Sequence, residues 1–174
     1  MLTFLPNKSG LKYTIGLSSL LISLGLLFVF ILPIKADAGT FGAAYVRLDR
    51  VKASTATTGL VCATTPSSDN GTEADVQVTF PSGFTVSGTA SNWTVATTNL
   101  PSGATAWPGI TTATSVSSQT VTFPSTALST STLYCFRWTG GTTLTNSTAG
   151  NDKTGTITTR TSGPATIDSD TYAL

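Results

Sequence analysis

The chain has no histidine. That removes the usual general base, the Ser-His-Asp arrangement and the commonest metal ligand. Charge is also scarce: nine basic and eight acidic residues in 174 leave a formal net charge of +1. Past residue 38, six basic residues face seven acidic ones, with no basic run. A nucleic-acid-binding surface has to replace condensed counterions, so this composition argues against that class of partner. The two cysteines are too far apart in sequence for a zinc knuckle. Neither a glycine-rich phosphate loop nor a dinucleotide fingerprint is present. Glycoside hydrolysis requires two carboxylates. The acids here (Asp49, Asp69, Glu73, Asp75, Asp152, Asp168 and Asp170) fall in turns and on outward parities, as solvated surface groups do. The expectation is a chain that is not an enzyme and uses no cofactor and no metal.

The longest apolar run lies at the N-terminus. Lys8 and Lys12 precede an uncharged stretch from Ile15 to Ile34, broken at Pro33 and followed by Ala36-Asp37-Ala38. A basic head, an apolar core and a small-x-small site together form an export signal. At 20 residues the core is also long enough to span a bilayer. Residues 1–38 are therefore read as a signal peptide cleaved after Ala38, or as an N-terminal transmembrane anchor through residues 15–34. Pro33 and the paired alanines favour cleavage. Both readings place the body outside the cytoplasm, secreted or at the cell surface, because the lysines stay inside. A type IV pilin leader would carry a glutamate within the apolar stretch, and no acid precedes Asp37.

Residues 39–174 form one domain of ordinary size. Within them 34 threonines and 16 serines supply the polar surface that charge does not. Threonine is β-branched and suits strands, while serine suits turns. No segment keeps a helical period for more than a turn or two. Alternation is clear in Tyr45–Val51 and in Asp75–Phe80, where Val76, Val78 and Phe80 share one face. Leu60–Ala63, Trp93–Val95, Val121–Phe123, Leu133–Trp138, Thr154–Arg160 and Ala165–Ile167 read as further strands. Asp69-Asn70-Gly71, Leu100–Gly103 and Trp107-Pro108-Gly109 read as turns. Val-Thr-Phe-Pro-Ser occurs at 78–82 and again at 121–125, each copy marking a strand end. Tyr172-Ala173-Leu174 resembles the start of one more strand. This rhythm predicts an all-β antiparallel sandwich behind an N-terminal apolar helix.

Leu128, Thr132 and Tyr134 have the spacing of a corner found in fibronectin type III domains, with Thr130 and Ser131 in place of the usual Pro-Gly. The resemblance covers about 15 residues. It implies an immunoglobulin/fibronectin III-like fold in which the tyrosine hydroxyl bonds back to the corner backbone where strand E turns into strand F. Phe136 and Trp138 share the parity of Tyr134, while Cys135 takes the opposite one, unlike immunoglobulin domains. The whole body, including Asn92–Val95 and Ala106–Ile110, is similar to uncharacterised exported threonine-rich proteins of uncultured bacteria, which implies a cell-surface role.

An even cysteine count in an exported chain predicts a disulfide between Cys62 and Cys135. Trp107, in a Pro-Gly turn, is the candidate ligand contact, as an exposed ring for sugar stacking. Trp93 and Trp138 have core parity. Asp69, Asn70, Glu73 and Asp75 cluster oxygens around a glycine, as a hairpin turn or a calcium loop would. Lys52 and Lys153 are the lysines that a Lys–Asn crosslink would use. The expected function is a non-enzymatic surface module, structural or adhesive, with self-association among its partners. The alternative is a carbohydrate-binding module that takes surface glycans through an exposed tryptophan.

Overall fold

Apolar residues at every second position need a partner sheet to cover them, and this pattern sets the architecture. The computed structural model describes residues 38–68, 71–150 and 153–174. The apolar leader and the Asp69-Asn70 turn lie outside these residues. Among them are thirteen strands: β1 (Ala43–Leu48), β2 (Ala56–Thr57), β3 (Gly59–Thr64), β4 (Asp75–Thr79), β5 (Thr85–Val86), β6 (Val95–Ala96), β7 (Thr105–Ala106), β8 (Ser115–Ser117), β9 (Thr120–Pro124), β10 (Leu133–Trp138), β11 (Leu144–Thr145), β12 (Thr154–Arg160) and β13 (Thr166–Ala173). The chain is all-β. One sheet runs β1-β3-β10-β6, with β7 also on β10. A second runs β13-β12-β4-β9-β8, and a small third runs β2-β11-β5. Pairing is antiparallel except for β7 on β10 and a single bridge between Gly39 and Asp168. Among the described residues no helix is long and apolar enough to cross a membrane.

The inward faces of the two large sheets contribute to one core. Val46, Val61, Ala63, Phe136 and Trp138 come from the first sheet, and Val76, Val78, Val121, Phe123 and Ile157 from the second. The register sets Val76 opposite Phe123 and Val78 opposite Val121, so apolar side chains pair across β4 and β9. The Phe123 and Phe136 rings join the sheets at 5.0 Å between centroids. Phe80 lies 5.5 Å from Trp93 and 5.6 Å from Trp138. On the second sheet, cross-strand hydroxyls satisfy each other: Thr79 with Thr120 at 2.8 Å, and Thr158 with Ser169 at 2.9 Å. Threonine thus fills strand positions that charged pairs often occupy. The exception is Arg160, opposite Asp75, which donates to both carboxylate oxygens at 2.9 and 2.8 Å.

Most predicted strands are present, with three differences. Trp93 does not begin a strand. It closes a 3-10 turn over Ala90–Asn92 and is fully buried, and the following strand is only Val95–Ala96. Ala165–Ile167 marks the start of β13, which continues to Ala173. Tyr172 and Ala173 therefore end a strand and do not begin one. The polar run Asp168-Ser169-Asp170 hides this strand in sequence, because Asp168 is 2% exposed and Ser169 pairs with Thr158. Tyr172 is buried, and its hydroxyl donates to the Thr79 carbonyl at 3.0 Å. Burial holds that phenol above the ordinary tyrosine range.

The Ser129 N–H donates to the Tyr134 hydroxyl oxygen at 3.0 Å, so the tyrosine-corner bond is present. Tyr134, Phe136 and Trp138 are buried on one face of β10. Tyr134→Phe would leave the Ser129 donor without its acceptor. The expected cost is about 1–2 kcal/mol, measured by urea unfolding. An unchanged midpoint would show that the bond contributes nothing net.

Candidate functional site

Backbone pairing fixes where the sequence candidates fall. The Thr65 N–H donates to the Thr132 carbonyl, so alternate pairs along β3 and β10 exchange hydrogen bonds and the pairs between them do not. Cys62 and Cys135 form one of the latter, directly opposite each other with Cα atoms 4.2 Å apart, and they are disulfide-bonded. This bridge lies within one sheet. It faces away from the main core into a second cluster with Leu60, beneath Leu100, Ala104 and Leu133. Both cysteines are fully buried.

Trp107 is not the exposed ring expected for sugar stacking. It is 2% exposed, and its indole N–H donates to the Ser125 hydroxyl at 2.9 Å. Its ring packs against Phe136 and Tyr134, with centroids 5.7 and 6.1 Å away. The Pro-Gly turn follows a parallel pairing of β7 with β10, and the Trp107 N–H donates to the Cys135 carbonyl. These bonds turn the side chain into the core. With Trp93 and Trp138 also buried, every tryptophan is internal.

The acidic turn is dispersed in its described part. Glu73 is buried and accepts the Leu128 N–H at 2.9 Å, whereas Asp75 is bound to Arg160. Asp69 and Asn70 lie outside the described residues. Among the described residues no three metal-ligating side chains come together. Asn146 donates to the Arg50 and Lys52 carbonyls at 2.6 and 3.0 Å, pinning that loop.

A polar constellation that the sequence reading did not single out lies at the end of β1. Outward parity places Tyr45, Arg47 and Asp49 on one exposed face. Tyr45 is 36% exposed, the one large aromatic side chain so presented among the described residues. Asp49 accepts from the Thr58 hydroxyl at 2.6 Å and from Arg137 at 2.5 Å, both through Oδ2. Partial burial pushes the Asp49 carboxyl up. The Thr58 and Arg137 hydrogen bonds, with the charges of Arg137 and Arg47, outweigh it and hold the group below the usual carboxylate range. Asp49 and Arg50 open onto a groove of about 390 Å³, completed by Thr55, Ala56, Thr57, Thr58 and Gly141. Alternation in Tyr45–Asp49 was the available signal for this face. The arrival of Arg137 from 88 residues away was not readable from spacing.

No protein-family model matches this chain, and no curated protein matches it.

Proposed function

We propose that the chain is an exported, non-enzymatic surface module of the immunoglobulin/fibronectin III sandwich type, structural or adhesive, that associates with copies of itself through its sheet edges. The strand order supports the sandwich type. The sequence β1-β3-β10 corresponds to A-B-E, and β13-β12-β4-β9 corresponds to G-F-C-C′. In that assignment Tyr134 lies on strand E, so the tyrosine corner stands one strand earlier than in the fibronectin pattern. The disulfide is compatible with an extracellular location, and the basic-then-apolar leader supplies the route.

The observation that carries self-association is the edge strand β8. Ser115-Val116-Ser117 ends a five-stranded sheet with both serines exposed and no charge. Soluble sheets usually guard such edges with lysine, proline or a bulge. The full-length protein is expected to form polymers visible by size-exclusion chromatography and electron microscopy. Ser115→Lys with Ser117→Lys should return it to monomers with an unchanged fold. A wild-type protein that stays monomeric at high concentration would overturn this reading. N-terminal sequencing of the native protein tests the leader separately: Gly39 as first residue means release, and Met1 means anchoring.

A further inference from the structure

We propose that the groove at the end of β1 is a binding site for an anionic polysaccharide, a sugar chain bearing carboxylate or sulfate groups. This names a partner for the exported adhesive module and rests on that reading, since such polymers lie outside the cytoplasm.

Charge placement is the first support. Past residue 38 the chain has four arginines. Arg160 is committed to Asp75 on the other large sheet. The remaining three gather here: Arg50 lines the groove, Arg137 is bonded to Asp49, and Arg47 is close enough for its charge to act on Asp49. One carboxylate against three guanidinium groups leaves the corner cationic in a nearly neutral chain. Arginine matches carboxylate and sulfate through its planar donor fork.

Preorganisation is the second. Asp49 receives both Thr58 and Arg137 on a single oxygen, which fixes the guanidinium at the surface, where it stays 20% exposed. The groove hydroxyls are held as well. Thr57 accepts the Arg50 N–H at 3.1 Å and donates to the Thr58 carbonyl at 2.8 Å, and Thr55 donates to the Ala53 carbonyl at 3.1 Å. With their protons committed to the protein, these hydroxyls can only accept, which suits sugar O–H groups, and a wall already in place loses little freedom when it binds.

Shape is the third. The groove volume of about 390 Å³ falls in the usual range for small-ligand sites. Tyr45 lies four residues before Asp49 on the same outward face, about 13 Å along an extended strand. That separation suits a chain of a few sugar rings, with one ring over the tyrosine and an acidic substituent at the arginines. A nucleic acid is the competing polyanion. The corner offers it one exposed aromatic side chain and a short cationic patch, where single strands use several stacking rings along a charged groove.

The test titrates the full chain in detergent with polygalacturonate, neutral dextran and single-stranded DNA, read by calorimetry. Polygalacturonate should bind and weaken as salt rises, and dextran should not bind. Arg50→Gln with Arg137→Gln should weaken binding by roughly tenfold or more, while Lys153→Gln leaves it unchanged. If the double variant misfolds, Arg50→Gln alone decides, because none of its side-chain nitrogens supports the fold through a described hydrogen bond. Tyr45→Ala should also weaken binding with the charge intact. No binding of polygalacturonate, equal binding of dextran, tighter binding of DNA, or indifference to the arginine variants would each overturn the proposal. Protease accessibility of the domain on intact cells reports export independently, so an exported protein that fails to bind sinks only the glycan site.

Discussion

Cys62→Ala with Cys135→Ala should lower the unfolding free energy by about 3–5 kcal/mol. The bridge joins residues 73 positions apart. In the chain-entropy view, a loop of that length restricts the unfolded chain by roughly 4 kcal/mol. A local term adds to this, since both cysteines pack with Leu60 under Leu100, Ala104 and Leu133 on the outer side of the sheet. The alanines would leave a void there. The fold itself should survive, because the pairing of β3 with β10 is set by backbone register from Leu133–Thr64 to Trp138–Gly59. For a domain of this size the loss corresponds to a melting temperature lower by on the order of 10–20 °C. Urea unfolding of the oxidised protein and the double variant measures it. Coincident midpoints would show that the bridge only decorates a register already secure. Full burial also predicts that a mild reductant leaves the native bridge intact until the segment carrying Leu100 and Ala104 opens.

That bridge was legible from an even cysteine count, and so were the strands whose apolar residues alternate over five or more positions. β4 is the clearest, because Val76 and Val78 face the core while Gln77 and Thr79 reach hydroxyl partners. Legibility fails where burial is decided by a distant segment. Asp168 looks like loop chemistry, yet β13 carries it into the interior. Trp107 looks exposed in its Pro-Gly turn, yet a parallel pairing with β10 buries it. The two-residue strands β2, β5 and β11 have no period to detect, and they form a sheet only because three separate loops meet. The groove has the same origin. Tyr45, Arg47 and Asp49 announce an outward face, but Arg137, which completes the charge arrangement, is supplied through the register of β10 on β3 and β3 on β1.

That register also creates a close approach in the first sheet, where Gly59 is opposite Trp138. The indole lies across the glycine and its N–H reaches the Thr57 carbonyl at 3.4 Å. A Cβ at residue 59 would meet Cη2 of Trp138 and the Arg47 carbonyl oxygen, with Cζ2 at 2.6 Å. One of those neighbours is backbone and cannot rotate away. Glycine here is required by close approach, with the aromatic ring covering the position that lacks a side chain. Gly59→Ala should therefore cost about 3 kcal/mol, at the upper end of overpacking changes. Trp138→Ala should cost about 3–5 kcal/mol, since the ring also packs on Phe80 and Trp93. The double variant distinguishes this contact from general damage. Without the indole an alanine methyl at 59 loses two of its three nearest clashes and keeps the one with the Arg47 carbonyl, so the two losses should fall short of additivity by about 1–2 kcal/mol. A double-mutant cycle by urea unfolding reads that coupling. Strict additivity would mean that the backbone at Gly59, and not the ring above it, sets the need for glycine.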